Sequence, residues 1–120
     1  MSICSQELLT EALDSVRSSV ERYLLVNCRR IVSMARIAMQ RNVKIEFHGF
    51  FRYYIPSPNF PRFMDAFTYI AQCIGGDIKI YVNNFEITFK DNYAVVLAKV
   101  LNDLCMYLNE KQELMKNEFE

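Results

Sequence analysis

Apolar side chains recur at Leu9, Leu13, Val16, Val20, Leu24, Cys28, Ile31, Ala35 and Ala38, in steps of three and four residues. That is the period of an amphipathic helix. Residues 5 to about 41 contain no Gly or Pro to interrupt it. Ser5 is placed to cap the start. Glu7, Glu11 and Asp14 suit the positive end of the helix dipole, and Arg36 and Arg41 the negative end. An unbroken helix of this span is about 55 Å long. A compact chain of this size is narrower, so the pattern predicts either a break near Asn27 or a projecting half whose apolar stripe needs a partner.

After residue 42 the period shortens to two. Val43, Ile45 and Phe47 alternate with Lys44 and Glu46, and an aromatic-rich run from Phe50 to Ile55 follows His48-Gly49. Two strand-like runs separated by two residues, one a Gly, predict a β-hairpin. In that hairpin Phe51 and Tyr53 share a face with Lys44 and Glu46, away from the core. Pro56 and Pro58 then force a loop. Asn59 is placed to cap a helix carrying Phe63, Phe67, Ile70, Ala71 and Ile74 and ended by Gly75-Gly76. Ile78, Ile80 and Val82, then Phe85, Ile87 and Phe89, flank Asn83-Asn84 and predict a second hairpin with all six on one face. A last helix is expected over roughly 92–116, capped by Asp91 or Asn92, with Leu97, Leu101, Leu104 and Leu108 on its stripe. Its end, from Asn109, is polar and expected to fray.

The expected order is α-ββ-α-ββ-α: an α+β fold with an antiparallel four-stranded sheet of two hairpins, helices packed on it and a long N-terminal helix. The 120 residues fit a single domain. The helix takes about 5–41, the α+β core about 43–110 and a polar tail about 111–120.

Cys4, Cys28, Cys73 and Cys105 are widely spaced, with no CxxC pair. Three of them fall among apolar residues on predicted helices, where a free thiol acts as a small hydrophobe. Free thiols imply a reducing compartment, so a cytoplasmic location is expected. No apolar run approaches the length of about 18 residues that a bilayer span needs, and Glu7 and Glu11 stand where a secretion leader would be apolar.

Little in the chain suggests catalysis. His48, the single histidine, is expected at an exposed turn, a poor place to hold a general base in geometry. Three glycines supply no phosphate cradle, and one His with four scattered Cys lacks metal-ligand spacing. Glu46 and Glu86 would form a carboxylate pair only if their strands were neighbours. No enzyme activity, cofactor or metal is therefore expected.

Charge changes the picture. Fourteen basic residues balance fourteen acidic ones, yet the segment from Arg17 to Arg62 holds nine basic and two acidic residues, +7, leaving −7 elsewhere. Arg22, Arg29 and Arg36 are spaced by seven and stack along one line of the first helix. Arg30 and Arg41 extend the group. Such a row serves as a solvated face, as a contact for an acidic protein surface (the Glu-rich stretch Glu110–Glu120 of a second copy among them), or as a grip on phosphates. Arginine's planar fork matches carboxylate and phosphate alike. With Phe51 and Tyr53, these arginines form the expected partner-binding set. The resulting expectation is a small non-enzymatic regulator or inhibitor that acts by surface complementarity on a larger protein, as a homodimer. The rival is a nucleic-acid-binding regulator using the same arginines.

Overall fold

The computed structural model describes residues 4–118. The first helix, α1 (Gln6–Ile37), is unbroken, and Ser5 Oγ accepts from the Leu8 N–H at its start. Strand β1 (Asn42–Glu46) follows, then the four-residue helix α2 (His48–Phe51) and helix α3 (Phe63–Ile74). A meander of β2 (Ile78–Val82), β3 (Phe85–Lys90) and β4 (Tyr93–Leu97) leads into α4 (Ala98–Glu118). The four strands form one antiparallel sheet in the order β1-β4-β3-β2. The architecture is α+β with a long N-terminal helix.

One face of the sheet buries Val43, Ile45, Ile78, Ile80, Val82, Ile87, Phe89, Ala94 and Val96 beneath the helices. The other face exposes Lys44, Lys79, Tyr81, Glu86, Tyr93 and Leu97. Strict alternation in a strand covered on one side produces this division. Phe47, Phe50, Phe63, Phe67 and Phe89 meet edge to face, stacked or tilted, with centroids 4.6–6.2 Å apart, and join the sheet to α2 and α3.

The structure corrects the first hairpin. Residues 48–51 are helical, and β1 pairs instead with β4, Val43 opposite Val96 and Ile45 opposite Ala94. A primed turn needs positive φ at its central residues; Gly49 is not among the residues with positive φ. Its glycine serves a close approach, since a Cβ there would lie 3.2 Å from the Tyr23 ring. The fourth strand lies in a segment expected to be helical. Asp91-Asn92, read as a cap, is a two-residue turn with Asp91 at φ 55°, and Leu97 is exposed on the open sheet face rather than packed on the α4 stripe. Asn59 does not cap α3; Arg62 occupies that position.

The helix α1 neither breaks at Asn27 nor projects. At about 48 Å it runs the 46 Å length of the molecule, and Ala12, Val16, Val20, Leu24, Cys28, Ile31 and Ala35 are buried within their own chain. The argument that this stripe needs a partner therefore fails. Helix α4 runs through Glu118, and residues 119–120 of the expected tail lie outside the described residues.

The cysteines are paired, not free. Cys4 bridges to Cys73 near the end of α3, and Cys28 of α1 bridges to Cys105 of α4, each with Cα atoms 5.7 Å apart, within the usual disulfide range. Sequence separations of 69 and 77 residues conceal contacts that only helix packing creates. The free-thiol premise for a reducing compartment is thereby removed. Among the described residues no helix is long and apolar enough to cross a membrane.

Candidate interaction surface

The buried stripe of α1 centres on Val20, Leu24 and Ile31. At 3.6 residues per turn, Arg22, Arg29 and Arg36 fall on the opposite side of the cylinder, and all three are exposed. No carboxylate lies within ion-pair distance of any of them among the described residues. Arg30 sits off the row and donates to Asn27 Oδ1 at 3.1 Å. Arg41 lies in the turn after α1, where its carbonyl accepts from the Ala98 N–H at 2.8 Å and its side chain stays exposed. Arg22 borders a groove of about 550 Å³ with Leu25, Leu108 and Lys111, and Arg36 one of about 380 Å³ with Val32, Met39 and Lys99. Both grooves lie along the seam between α1 and α4.

Four apolar side chains are exposed on the same half of the helix and its turn. Val26 and Ile37 lie beside the arginine row and Met39 in the groove with Arg36, while Met34 is on the far flank, about 140° round the helix from Arg29. Val26 is 67% exposed, Met34 59%, Ile37 84% and Met39 90%. Sequence reasoning passed over them because it followed the buried stripe. The signal was present, since each is apolar yet falls outside the three-and-four series from Leu9 to Ala38. Met39 leaves the helix at φ 53°, which turns the chain toward β1.

Phe51 and Tyr53 do not act as a pair on the sheet. Tyr53 is half-buried, its ring 5.8 Å from Tyr23 and its hydroxyl accepting from Asn27 Nδ2 at 3.4 Å. Through Asn27 it connects to Arg30. Phe51, 45% exposed, stands with Met64 between two grooves at the far corner of α2 and α3. The larger, about 500 Å³, is lined by Tyr54, Pro56, Pro61 and Phe63. The Tyr54 hydroxyl donates to the Phe60 carbonyl at 2.7 Å, and burial raises its pKa above the ordinary tyrosine value. The proposed set thus divides: the five arginines lie along α1 and its turn, Tyr53 buttresses that helix, and Phe51 belongs elsewhere.

Of the chemistry-bearing residues, His48 and Glu46 meet at the surface, while Glu46 and Glu86 stay apart. His48 Nδ1 lies 3.0 Å from Glu46 Oε2, both exposed. Strand β4 separates Glu46 from Glu86, and Glu86 pairs with Lys79 at 3.3 Å. No group of three His, Cys, Asp or Glu side chains able to hold a metal occurs among the described residues. No protein-family model, curated protein or solved structure matches the chain.

Proposed function

We propose that this protein is a non-enzymatic binding module whose working surface is the C-terminal half of α1 and the turn after it. The observation that supports the reading is a run of exposed apolar and basic side chains round the solvent side of this half. Met39 lies by Arg36, Val26 and Ile37 lie between the arginine row and Arg30, Met34 lies one turn from Arg30, and Arg41 lies in the turn after α1. Methionine and arginine are enriched in protein interfaces, where an apolar anchor is desolvated and the guanidinium finds a carboxylate at the rim. The partner is a larger protein presenting an acidic, partly apolar groove, and occupation of that groove is the regulatory or inhibitory act. Phosphate binding by the same arginines is the competing reading, but the patch offers no exposed aromatic ring on which a base could stack.

Met34→Ser with Ile37→Ser is expected to abolish capture of the partner from the native host, and Arg29→Glu with Arg36→Glu to weaken it. Binding to random DNA or RNA that collapses with rising salt and ignores the serine variants would transfer the function to nucleic acid. The paired cysteines bear on location: we read them as fitting an oxidising environment rather than the cytoplasm expected from free thiols. Alkylation without reductant, followed by mass measurement, is expected to find no reactive thiol in the native protein.

A further inference from the structure

The two edges of the sheet are treated differently. Along β1, the Phe47 N–H donates to the Asn92 carbonyl (3.1 Å) and the Arg41 carbonyl accepts from the Ala98 N–H (2.8 Å). Backbone groups alternate in direction along a strand. Val43 and Ile45 therefore turn theirs toward β4, while Asn42, Lys44 and Glu46 turn theirs outward. Among the described residues nothing outside the ladder is hydrogen-bonded to those outward groups. At the opposite edge the same alternation turns Lys79 and Tyr81 of β2 outward, but there the Tyr81 carbonyl accepts from Arg17 Nε at 2.9 Å. Helix α1 thus occupies one outward carbonyl of β2 and none of β1 among the described residues, and an open edge is a template for another strand.

We infer that β1 pairs antiparallel with β1 of a second copy, joining the two four-stranded sheets across a two-fold axis at Ile45. In this register Lys44 of each copy stands opposite Glu46 of the other, and the outward N–H and carbonyl groups of both residues are paired. Opposite charges directly across an antiparallel pair attract and like charges repel. The register centred on Lys44 sets two ammonium groups against each other and is rejected by the same rule. Lys44-Ile45-Glu46 is therefore complementary in charge to itself, which selects a second copy as the occupant. Both side chains are exposed; within the chain Lys44 Nζ lies 5.9 Å from the Tyr93 ring centre and Glu46 Oε2 3.0 Å from His48 Nδ1, two solvent-facing contacts that the cross-strand pairs would replace. The inference rests on the backbone edge of β1 and not on the α1 surface.

Sedimentation equilibrium of the full chain is expected to show a dimer. Lys44→Glu and Glu46→Lys should each raise the dissociation constant about tenfold or more, and the double exchange should restore it to within about threefold of the original. Circular dichroism establishes that each variant is folded. A wild-type chain that stays monomeric to about 0.5 mM, or a dimer indifferent to both single reversals, overturns the inference. Amide hydrogen exchange of the unaltered chain decides the matter if the variants do not fold. Exchange at Lys44 and Glu46 should slow as concentration rises while Val43 and Ile45 stay unchanged, and exchange independent of concentration at all four overturns the inference.

Discussion

The two halves of α1 share one period and one buried stripe but use their polar residues differently. In the first half, polar side chains tie the helix to other elements. Glu11 accepts from the Ser57 hydroxyl, the Asn59 N–H and the Asn59 side-chain amide, at 2.7–2.9 Å. Arg17 bonds Asp14 and the Tyr81 carbonyl, and the buried Ser19 donates to the Phe50 carbonyl at 2.6 Å. In the second half, Arg22, Arg29 and Arg36 make no such bond among the described residues; Arg30 donates to Asn27, one turn away on the same helix, and the one tie outward is from Asn27 to the Tyr53 hydroxyl. That half is held from beneath, by Leu24, Cys28, Ile31 and Ala35 and by the bridge to Cys105. A helix can thus be structural at one end and leave its charges uncommitted at the other, because the packed stripe and the Cys28–Cys105 bridge fix its position without them.

Breaking the shared floor should have the largest effect. Leu24→Ala removes a fully buried side chain where the halves meet and is expected to cost about 2–5 kcal/mol in chemical denaturation. Ser19→Ala should cost about 1 kcal/mol, because the Phe50 carbonyl keeps the Tyr53 N–H at 3.1 Å; a loss as large as that of Leu24→Ala would mean that the first half depends on this single tie. Acid titration sharpens the contrast further. The Asn59 side chain first, then Ser57 and the Asn59 backbone, hold Glu11 below its ordinary pKa of 4.5. Its folded pKa lies below the unfolded one, so its contribution is complete above the unfolded value and is lost as pH falls through the folded value. Glu11→Gln should therefore reduce the drop in melting temperature on acidification below about pH 4.5. Smallest of all, Arg29→Ala with Arg36→Ala should change stability by no more than about 0.5 kcal/mol while weakening capture of the partner. A larger loss would mean that these arginines serve the fold.

Two segments of similar alternation show what was legible. Ile78 to Phe89 folds as read, with Ile80 opposite Ile87 and Val82 opposite Phe85. Its six apolar residues can face a core only in that register. The segment from Val43 to Ile55 alternates too, but β4 offered β1 a better partner, and the aromatic run curled into α2, where Phe50 is fully buried. Tyr93 to Leu97 reads equally well as the start of a helix, and only pairing with β1 and β3 made it a strand. Of the site, the arginine row was legible from its seven-residue spacing; the apolar residues beside it emerged only once the buried face was known.

Local periodicity by itself determined the long first helix, the alternation of β1, the β2–β3 hairpin and the side on which Arg22, Arg29 and Arg36 lie, because 3.6- and 2-residue repeats are set by backbone geometry. Tertiary structure alone decided which strand β1 pairs with, that the stripe of α1 is covered by its own chain, that Cys4 meets Cys73 and Cys28 meets Cys105, and that β1 lies at an edge of the sheet. Each of these depends on contacts between residues far apart in sequence, and their energies are compared only when the whole chain packs.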